Sequence, residues 1–369
     1  MKNLSIISFT EKGIQLSEKI AEHKGWRTIS EPAALFSKCS RMKTSGTGIC
    51  VRFVEDSTGE WAKEQMKEGN ALLFIGACGI AVRTIAPYIT DKLYDSPVLV
   101  MDERGGYIIP ILSGHMGGAN EIAAEIAEKT GAAPVITTAT DINGRFAVDL
   151  FAKRNALHIV NKEGIAKISA KVLAGEEITM TVETGHIVEG EACPEGIRMI
   201  PYPPKESVDI VISGEETPRK ACEAWEAWEA LLYLEPREYV IGMGCKKGKE
   251  PEKIEAFLYK SMEEAGITKN QLFALASIDR KKEEEGFLRW SRKERISFLT
   301  FPAGRLQKTQ GNFHGSAFVE EQTGVDNVCE RAALEACGPG GKLIYEKHAE
   351  DGMTIAIAAR EWRVSFGEE

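Results

Sequence analysis

The alternation of apolar and polar stretches predicts an α/β fold for the first third of the chain. Residues 71–75 (ALLFI) form a continuous apolar run that is typical of a buried strand. A glycine turn at residues 76–79 (GACG) leads from this run into IAVRTIAPYI, whose apolar spacing predicts a helix. PVLVMD and YIIPIL then flank residues 103–106 (ERGG), which predicts a hairpin with its glycines in the turn.

A second glycine turn, residues 113–120 (SGHMGGAN), precedes EIAAEIAEKT, an amphipathic pattern that predicts a helix ended by Gly131. PVITTAT predicts another strand, and Asp141 is placed to cap the helix that contains RFAVDLFAKR. The carboxyl ends of strands in open α/β sheets converge on ligand crevices. We therefore expect the turns at 76–79 and 113–120 to lie together at one edge of the N-terminal sheet.

The pattern weakens between residues 155 and 215. There, IAKISAKVLAG predicts a helix, and ITMTVE, IRMIPY and DIVIS predict short strands. The segment TPRKACEAWEAWEALLYLEPRE predicts a connection with some helix, in which Trp225 and Trp228 are packing residues. YVIGMGC then predicts a strand that enters a third glycine turn, residues 242–248, and further strand and helix patterns complete the chain.

The predicted fold class is multidomain α/β, because 369 residues exceed what one hydrophobic core usually organises. We predict an N-terminal α/β domain at residues 1–132 and a less regular middle α/β domain at residues 133–225. A linker at residues 226–237 leads to a compact C-terminal α/β domain at residues 238–369.

Composition and charge narrow the possible functions. The net charge of −9 argues against a nucleic-acid partner, because phosphate binding requires a basic field, so any anion must be held by a local basic patch. The eight cysteines form no C-x-x-C pair and no H-E-x-x-H motif occurs, so we expect reduced thiols and no metal held by the protein. The sequence shows no signal peptide and no apolar run of about 18 residues, which predicts a cytoplasmic protein without a membrane partner.

Five stretches together resemble the CbiG family of cobalt-precorrin 5A hydrolases, in the same order and at similar spacing. They are IGACGIAVRTIAPYITDK, ILSGHMGGANEIA, PVITTATD, VIGMGCKKGK and GVDNVCERAAL. The resemblance covers nearly the whole chain, and the C-terminal domain also resembles the stand-alone CobE proteins of the related aerobic route. Where the family commonly has arginines after the GxGC cysteine, this chain has Lys246 and Lys247, which keep the charge but put bidentate carboxylate recognition in doubt.

The resemblance implies a reaction in anaerobic cobalamin biosynthesis. Water opens the δ-lactone of the anionic tetrapyrrole cobalt-precorrin 5A, and carbon–carbon cleavage then releases acetaldehyde to give cobalt-precorrin 5B. No cofactor is expected, since the substrate carries the cobalt. Besides the substrate, the expected partners are neighbouring enzymes of the pathway, which the protein would contact transiently. The rival hypothesis is a non-catalytic carrier of tetrapyrrole intermediates. Nucleotide binding is disfavoured because neither strand-following glycine turn matches G-x-G-x-x-G or a P-loop.

This reaction requires a base for water, an oxyanion site and a path for protons. His115 is the candidate base because imidazole titrates near neutral pH and this residue lies in a strand-to-helix glycine turn; the alternative is a histidine that only bonds the turn. Glu330 is a candidate second acid or base, or else a polar-face residue of its helix. Arg83 is predicted to meet a substrate carboxylate, with a surface salt bridge as the alternative. A structural or substrate-contacting role is preferred over a nucleophilic one for Cys245, and Cys78 has the same ambiguity.

Glycine turns at strand ends suit substrate binding, because backbone N–H groups there can face a carboxylate or a developing oxyanion. Asn120 and Asp141 both have helix capping as an alternative role, which we prefer for Asp141. The predicted substrate-binding residues are Gly76, Cys78, Gly79, Arg83, Ser113, Gly114, Gly117, Gly118, Asn120, Thr138, Gly242, Gly244, Cys245 and Lys246.

Overall fold

The chain folds into two compact units, Met1–Arg145 and Phe146–Glu369. The computed structural model describes residues 2–40, 50–91, 94–138, 145–215 and 230–367. Within these ranges, every helix is too short or too polar to cross a membrane.

The first unit contains a seven-stranded sheet with the strand order β3-β2-β1-β4-β5-β6-β7. Its strands are β1 (Lys2–Ser8), β2 (Ile29–Ser37), β3 (Val51–Phe53), β4 (Ala71–Ile75), β5 (Val98–Met101), β6 (Tyr107–Leu112) and β7 (Ala133–Pro134). Strands β1 to β5 are parallel, whereas β6 runs antiparallel to β5 and parallel to β7. The predicted hairpin between β5 and β6 is therefore confirmed.

Among the described residues of this unit, four helices cover the two faces of the sheet. They are α1 (Glu11–Glu22), α2 (Thr58–Lys67), α3 (Cys78–Ile85) and α4 (Ala119–Thr130). Successive residues of β1 face opposite sides, as in any strand: Ile6 lies in the core with α1 and α4, and Ile7 lies in the core with α2 and α3. Because β2 lies on one side of β1 and β4 on the other, the strand order reverses between β1 and β4. Such a reversal is the place where open α/β sheets usually bind ligands.

Two expectations for the end of this unit have different outcomes. Helix α4 ends at Gly131, which adopts a left-handed conformation (φ 78°), as predicted. The strand predicted for PVITTAT is wrong beyond Pro134. Val135 N–H still donates to the Ile108 carbonyl of β6, but residues 136–138 lie outside the sheet. Asp141 lies outside the described residues, and the helix assigned to it begins at Val148 with Ala147 in the capping position.

The second unit begins with a five-stranded sheet in the order β10-β9-β11-β12-β8. Its elements are α5 (Val148–Arg154), β8 (Leu157–Ile159), α6 (Glu163–Ala174), β9 (Ile178–Val182), β10 (Ile197–Met199), β11 (Val208–Ile212) and β12 (Ala230–Pro236). The helix and the three short strands predicted for residues 155–215 are therefore confirmed. Among the described strands of this sheet, only β8 runs antiparallel to its neighbour. Trp225 and Trp228 lie outside the described residues.

A second five-stranded sheet, in the order β15-β14-β13-β17-β16, follows in the same unit. Its elements are β13 (Tyr239–Cys245), α7 (Pro251–Glu264), β14 (Leu272–Ile278), α8 (Glu285–Glu294), β15 (Ser297–Phe301), α9 (Ala303–Leu306), α10 (Ala317–Thr323), α11 (Cys329–Cys337), β16 (Lys342–Glu350) and β17 (Met353–Ala359). Helices α7 and α8 bury Leu258 and Trp290 against one face, and α11 buries Ala332 against the other. The chain is thus a multidomain α/β protein, with three sheets in the part that the structure describes.

Candidate functional site

The two glycine turns of the first unit lie at opposite edges of its sheet. The turn at 76–79 follows β4, where the parallel strands end. The turn at 113–120 follows β6, whose last residue Leu112 pairs with Val98, the first residue of β5. The five residues of β4 separate the two edges by about 15 Å. The predicted shared edge is therefore wrong, because the β5–β6 hairpin reverses the chain before the second turn.

The turn at 76–79 lies at the strand-order reversal between β1 and β4. A Cβ atom on Gly76 would lie 3.1 Å from the ring of Phe9, the residue that follows β1. Thr10 caps the N-terminus of α1 by accepting a bond from Gly13 N–H, and its hydroxyl donates to Glu103 at 2.8 Å. Sequence analysis missed Thr10, although a threonine directly after an apolar strand and before Glu11 is a capping signature. The N-termini of α1 and α3 therefore both open at this edge.

Helix α3 begins with Cys78 and Gly79, and Arg83 lies in its last turn. Cys78 and Arg83 are exposed. The Arg83 guanidinium folds back toward the helix N-terminus, since its Nη2 lies 3.2 Å from the position of a Cβ on Gly79. Among the described residues, no acidic side chain forms an ion pair with Arg83. A guanidinium above free helix N–H groups is an arrangement that attracts an anion.

The turn at 113–120 is packed tightly, largely by contacts among its own residues. Ser113 adopts a positive φ of 55° and its hydroxyl donates to the Asp95 carbonyl at 2.7 Å. A Cβ on Gly117 would lie 2.4 Å from the Cβ of Ser113, and Gly118 caps α4 with a φ of 86°. These glycines are therefore required by the packing of the turn itself. His115 lies half-buried within this turn.

Asn120 joins the second turn to the segment after β7. Its side chain fills the space above Gly114, where a Cβ would lie 2.7 Å from Asn120 Oδ1. Its amide also donates to Thr138 Oγ1 at 3.0 Å. The capping alternative for Asn120 is wrong, because Gly118 occupies the capping position of α4. The structure thus brings together one half of the predicted N-terminal site, namely Ser113, Gly114, His115, Gly117, Gly118, Asn120 and Thr138.

Gly242 in the C-terminal sheet packs closely against helix α11. It is buried in β13, and a Cβ atom there would lie 1.9 Å from the carbonyl oxygen of Cys329 in α11. The backbone of α11 occupies the space that the glycine leaves, so packing alone accounts for a glycine at this position. Gly244 is half-exposed, and a Cβ there would lie 3.0 Å from Thr354 Oγ1.

Cys245 and Lys246 follow at the carboxyl end of β13. Burial raises the pKa of the Cys245 thiol, and the nearby Lys281 ammonium only partly offsets this effect. The protonated thiol is a poor nucleophile, which favours the structural or substrate-contacting role. Lys246 and Lys247 are exposed, and the described residues contain no acidic partner of either. These two lysines form a local basic patch on an acidic chain.

Glu330 is completely buried at the start of α11, so its interpretation as a polar-face residue is wrong. Its Oε1 accepts bonds from Lys347 N–H at 2.9 Å and His314 Nδ1 at 3.1 Å. Its Oε2 accepts bonds from His314 N–H at 3.0 Å and from the Asn327 amide. The carboxylate thus fixes residue 314 to both α11 and β16.

The pKa of Glu330 reflects two opposing effects. Burial raises this pKa, but the N–H groups of Lys347 and His314, together with the His314 ring, lower it below its ordinary value. Glu330 therefore stays ionised and is a hydrogen-bond acceptor, not a proton donor. Across the described ranges, no three His, Cys, Asp or Glu side chains form a group that could hold a metal ion.

His314 is a candidate that sequence analysis missed. It lies in the loop between α9 and α10, with its side chain 63% exposed. The same loop is held by Arg331, whose guanidinium donates to the carbonyls of Leu306 and Thr309 and lies 4.1 Å from the centre of the Phe313 ring. The available signal was a histidine in a polar, glycine-containing segment, GNFHGS, but its partner is 16 residues away.

Comparisons with known proteins agree with the resemblance found in the sequence. The family models for cobalamin synthesis G N-terminal and cobalamin synthesis G C-terminus match residues 60–141 and 239–358. The cobalt-precorrin-5A hydrolase of Salmonella typhimurium is 31% identical over 304 residues, which cover 80% of this chain and 84% of the relative. That of Priestia megaterium is 32% identical over 298 residues, 78% of each chain. Protein CobE of Sinorhizobium sp. is 28% identical over 120 residues, 32% of this chain and 78% of CobE. The chain belongs to the cobalt-precorrin-5A hydrolase family of cobalamin biosynthesis.

Proposed function

We propose that the protein hydrolyses cobalt-precorrin 5A, opening the δ-lactone of the corrinoid and releasing acetaldehyde to give cobalt-precorrin 5B. The observation that carries this proposal is the 31% identity to a protein named cobalt-precorrin-5A hydrolase over 84% of that protein's length. Agreement over so much of both chains supports a shared reaction as well as a shared fold. The cobalt belongs to the substrate.

The proposed reaction has two bond-breaking steps. In the first, the oxygen of water adds to the lactone carbonyl carbon, and the ring C–O bond breaks to leave a carboxylic acid and an alcohol. In the second, the alcohol loses its proton, its oxygen becomes the carbonyl oxygen of acetaldehyde, and the electron pair of the broken C–C bond stays on the macrocycle. Each step requires a group that accepts a proton at a defined position.

Cationic and N–H groups in each unit suit a polycarboxylate substrate. Arg83 and the first turn of α3 offer a guanidinium and unbonded helix N–H groups in the first unit. Lys246 and Lys247 offer exposed ammonium groups in the second unit. We propose that each of these sets of groups binds carboxylates, because a chain of net charge −9 needs local cationic groups to bind an anionic substrate.

The direct test is to incubate the purified protein with cobalt-precorrin 5A and measure acetaldehyde together with the mass of the corrinoid. We expect continuing release of acetaldehyde, with many substrate molecules converted per protein molecule. A non-catalytic carrier would bind the corrinoid without changing its mass. Recovery of intact bound substrate, under conditions in which the Salmonella typhimurium relative turns over, would reject the proposed hydrolysis and favour the carrier.

A further inference from the structure

We infer that His314 takes the proton from the attacking water in lactone opening, and that buried Glu330 is the residue that positions its ring. This inference rests on the proposed function and names the base for its first step. The base predicted from sequence was His115, in the other unit of the chain.

The contacts of His314 define which ring nitrogen carries a proton. Its Nδ1 lies 3.1 Å from Oε1 of Glu330, a fully buried carboxylate. An ionised carboxylate can only accept hydrogen bonds, so Nδ1 must be the donor. In the neutral ring this leaves the lone pair on Nε2, the nitrogen on the side away from Glu330. A histidine oriented by a buried carboxylate, with its second nitrogen free to accept a proton, is the geometry of a general base.

The charged groups that face His314 come from two elements. Glu330 belongs to α11, and Glu346 and Lys347 belong to β16. Glu346 Oε2 lies 3.9 Å from Nε2, but its side chain is 71% exposed and can move aside. Lys347 Nζ donates to the backbone carbonyl of His314 at 2.8 Å, which leaves the ring itself uncovered. The ring thus combines a fixed Nδ1 side with an open Nε2 side.

The loop that carries His314 is held at several points, as a catalytic group requires. Glu330 accepts the backbone N–H of His314, and Asn327 donates to the carbonyl of the same residue at 3.1 Å. Asp326 pairs with Arg331 at 2.8 Å, and Arg331 in turn bonds loop carbonyls. All four side chains belong to the stretch GVDNVCERAAL. The polar residues of this stretch therefore all help to hold the loop that carries His314 in place.

In the proposed step, Nε2 of His314 accepts one proton from water while the water oxygen bonds to the lactone carbonyl carbon. The tetrahedral intermediate then expels the ring oxygen, which takes that proton from the imidazolium to become the alcohol. Water is thereby added across the ester bond and His314 returns to its neutral form. Glu330 stays ionised throughout and stabilises the imidazolium through Nδ1.

The test is His314→Ala, assayed for acetaldehyde release from cobalt-precorrin 5A in the full-length protein. We expect kcat to fall by about a hundredfold to ten-thousandfold, while the melting temperature stays within about 5 °C of the parent because the ring is exposed. Added imidazole should restore part of the rate by entering the vacated space. His348→Ala is the matched control, since His348 is an exposed histidine on the adjacent strand β16, and it should retain parental turnover.

A double-mutant cycle tests the positioning role of Glu330. If Glu330 acts through His314, the double variant Glu330→Gln, His314→Ala should be no slower than His314→Ala alone, whereas an independent structural effect would multiply the losses. Parental turnover by folded His314→Ala, or a large loss in His115→Ala instead, would overturn the assignment of the base and leave the hydrolase function intact. A parent protein without turnover would reject both the function and this role.

Discussion

Gly242→Ala is expected to destabilise the C-terminal sheet by about 3 kcal/mol or more. The added methyl group would lie 1.9 Å from the Cys329 carbonyl oxygen and 2.7 Å from Ala333 N, both of which are backbone atoms of α11. Since no side chain can rotate away, the whole helix must move from the sheet. Movement of α11 would also displace Glu330, so the rate of turnover should fall together with stability. Denaturant unfolding followed by circular dichroism measures the stability change.

Gly304→Ala provides a matched control for this prediction. Gly304 lies in the short helix α9, is exposed, and has no atom within 4 Å of the position of an added Cβ. Alanine is favoured over glycine inside a helix, so this variant should be as stable as the parent or more stable by about 0.5–1 kcal/mol. If Gly242→Ala unfolded at the same denaturant concentration as Gly304→Ala, the close packing of α11 on β13 would be contradicted.

Glu330→Ala is expected to lower the free energy of unfolding by about 3 kcal/mol at neutral pH. Truncation leaves the N–H groups of His314 and Lys347 and the buried Asn327 amide without their acceptor. The difference should depend on pH. Because folding lowers the pKa of Glu330 below its ordinary value of 4.5, the carboxylate stabilises the parent above pH 4.5 and loses this effect as the pH falls through the lowered pKa.

Unfolding curves of parent and Glu330→Ala between pH 7 and pH 3 therefore should converge on acidification. Glu321→Ala is the control, because Glu321 is an exposed carboxylate on the neighbouring helix α10 and should change stability by less than about 0.5 kcal/mol. A Glu330→Ala protein as stable as the control at pH 7 would show that the buried carboxylate does not hold the loop.

The sequence predicted local elements better than the relations between them. The buried run ALLFI, the β5–β6 hairpin and the helix ended by Gly131 were all visible as patterns of apolar spacing and glycine position. The edge of the sheet on which a turn lies is not visible in such a local pattern, because it depends on the direction of every strand before the turn. The same hairpin that was correctly predicted moved the turn at 113–120 away from the turn at 76–79. The prediction of a strand at PVITTAT was wrong for a related reason. The length of a strand at the edge of a sheet depends on how far it pairs with its neighbour, here β6.

The glycines in the sequence indicated where the backbone is closely approached, but not whether a substrate or the protein itself approaches it. Gly242 and Gly117 were predicted to bind substrate, and the structure shows that the space beside them is filled by α11 and by Ser113. From sequence alone, close packing within the protein and close approach of a substrate require the same residue. Only the neighbours brought in by the fold distinguish them.

The pairing of His314 with Glu330 was beyond sequence analysis for a further reason. The two residues are separated by helix α10 and become neighbours because α11 packs beside the loop that carries His314. Glu330 was singled out without its partner, and its burial was missed because the polar face of a helix is normally solvated. Its carboxylate is buried because it accepts hydrogen bonds from four donors: two on His314, one on Lys347 of β16, and one on Asn327, which lies just before α11.

Hydrolysis of the lactone is tested most directly by one turnover of cobalt-precorrin 5A in water enriched in oxygen-18, with the corrinoid product analysed by mass spectrometry. Water attack at the lactone carbonyl predicts one heavy oxygen in the newly formed carboxylate, together with one equivalent of acetaldehyde for each substrate consumed. His314→Ala should form the same labelled product much more slowly. A product without the label, or substrate recovered intact from its complex with the parent protein, would contradict the hydrolase assignment.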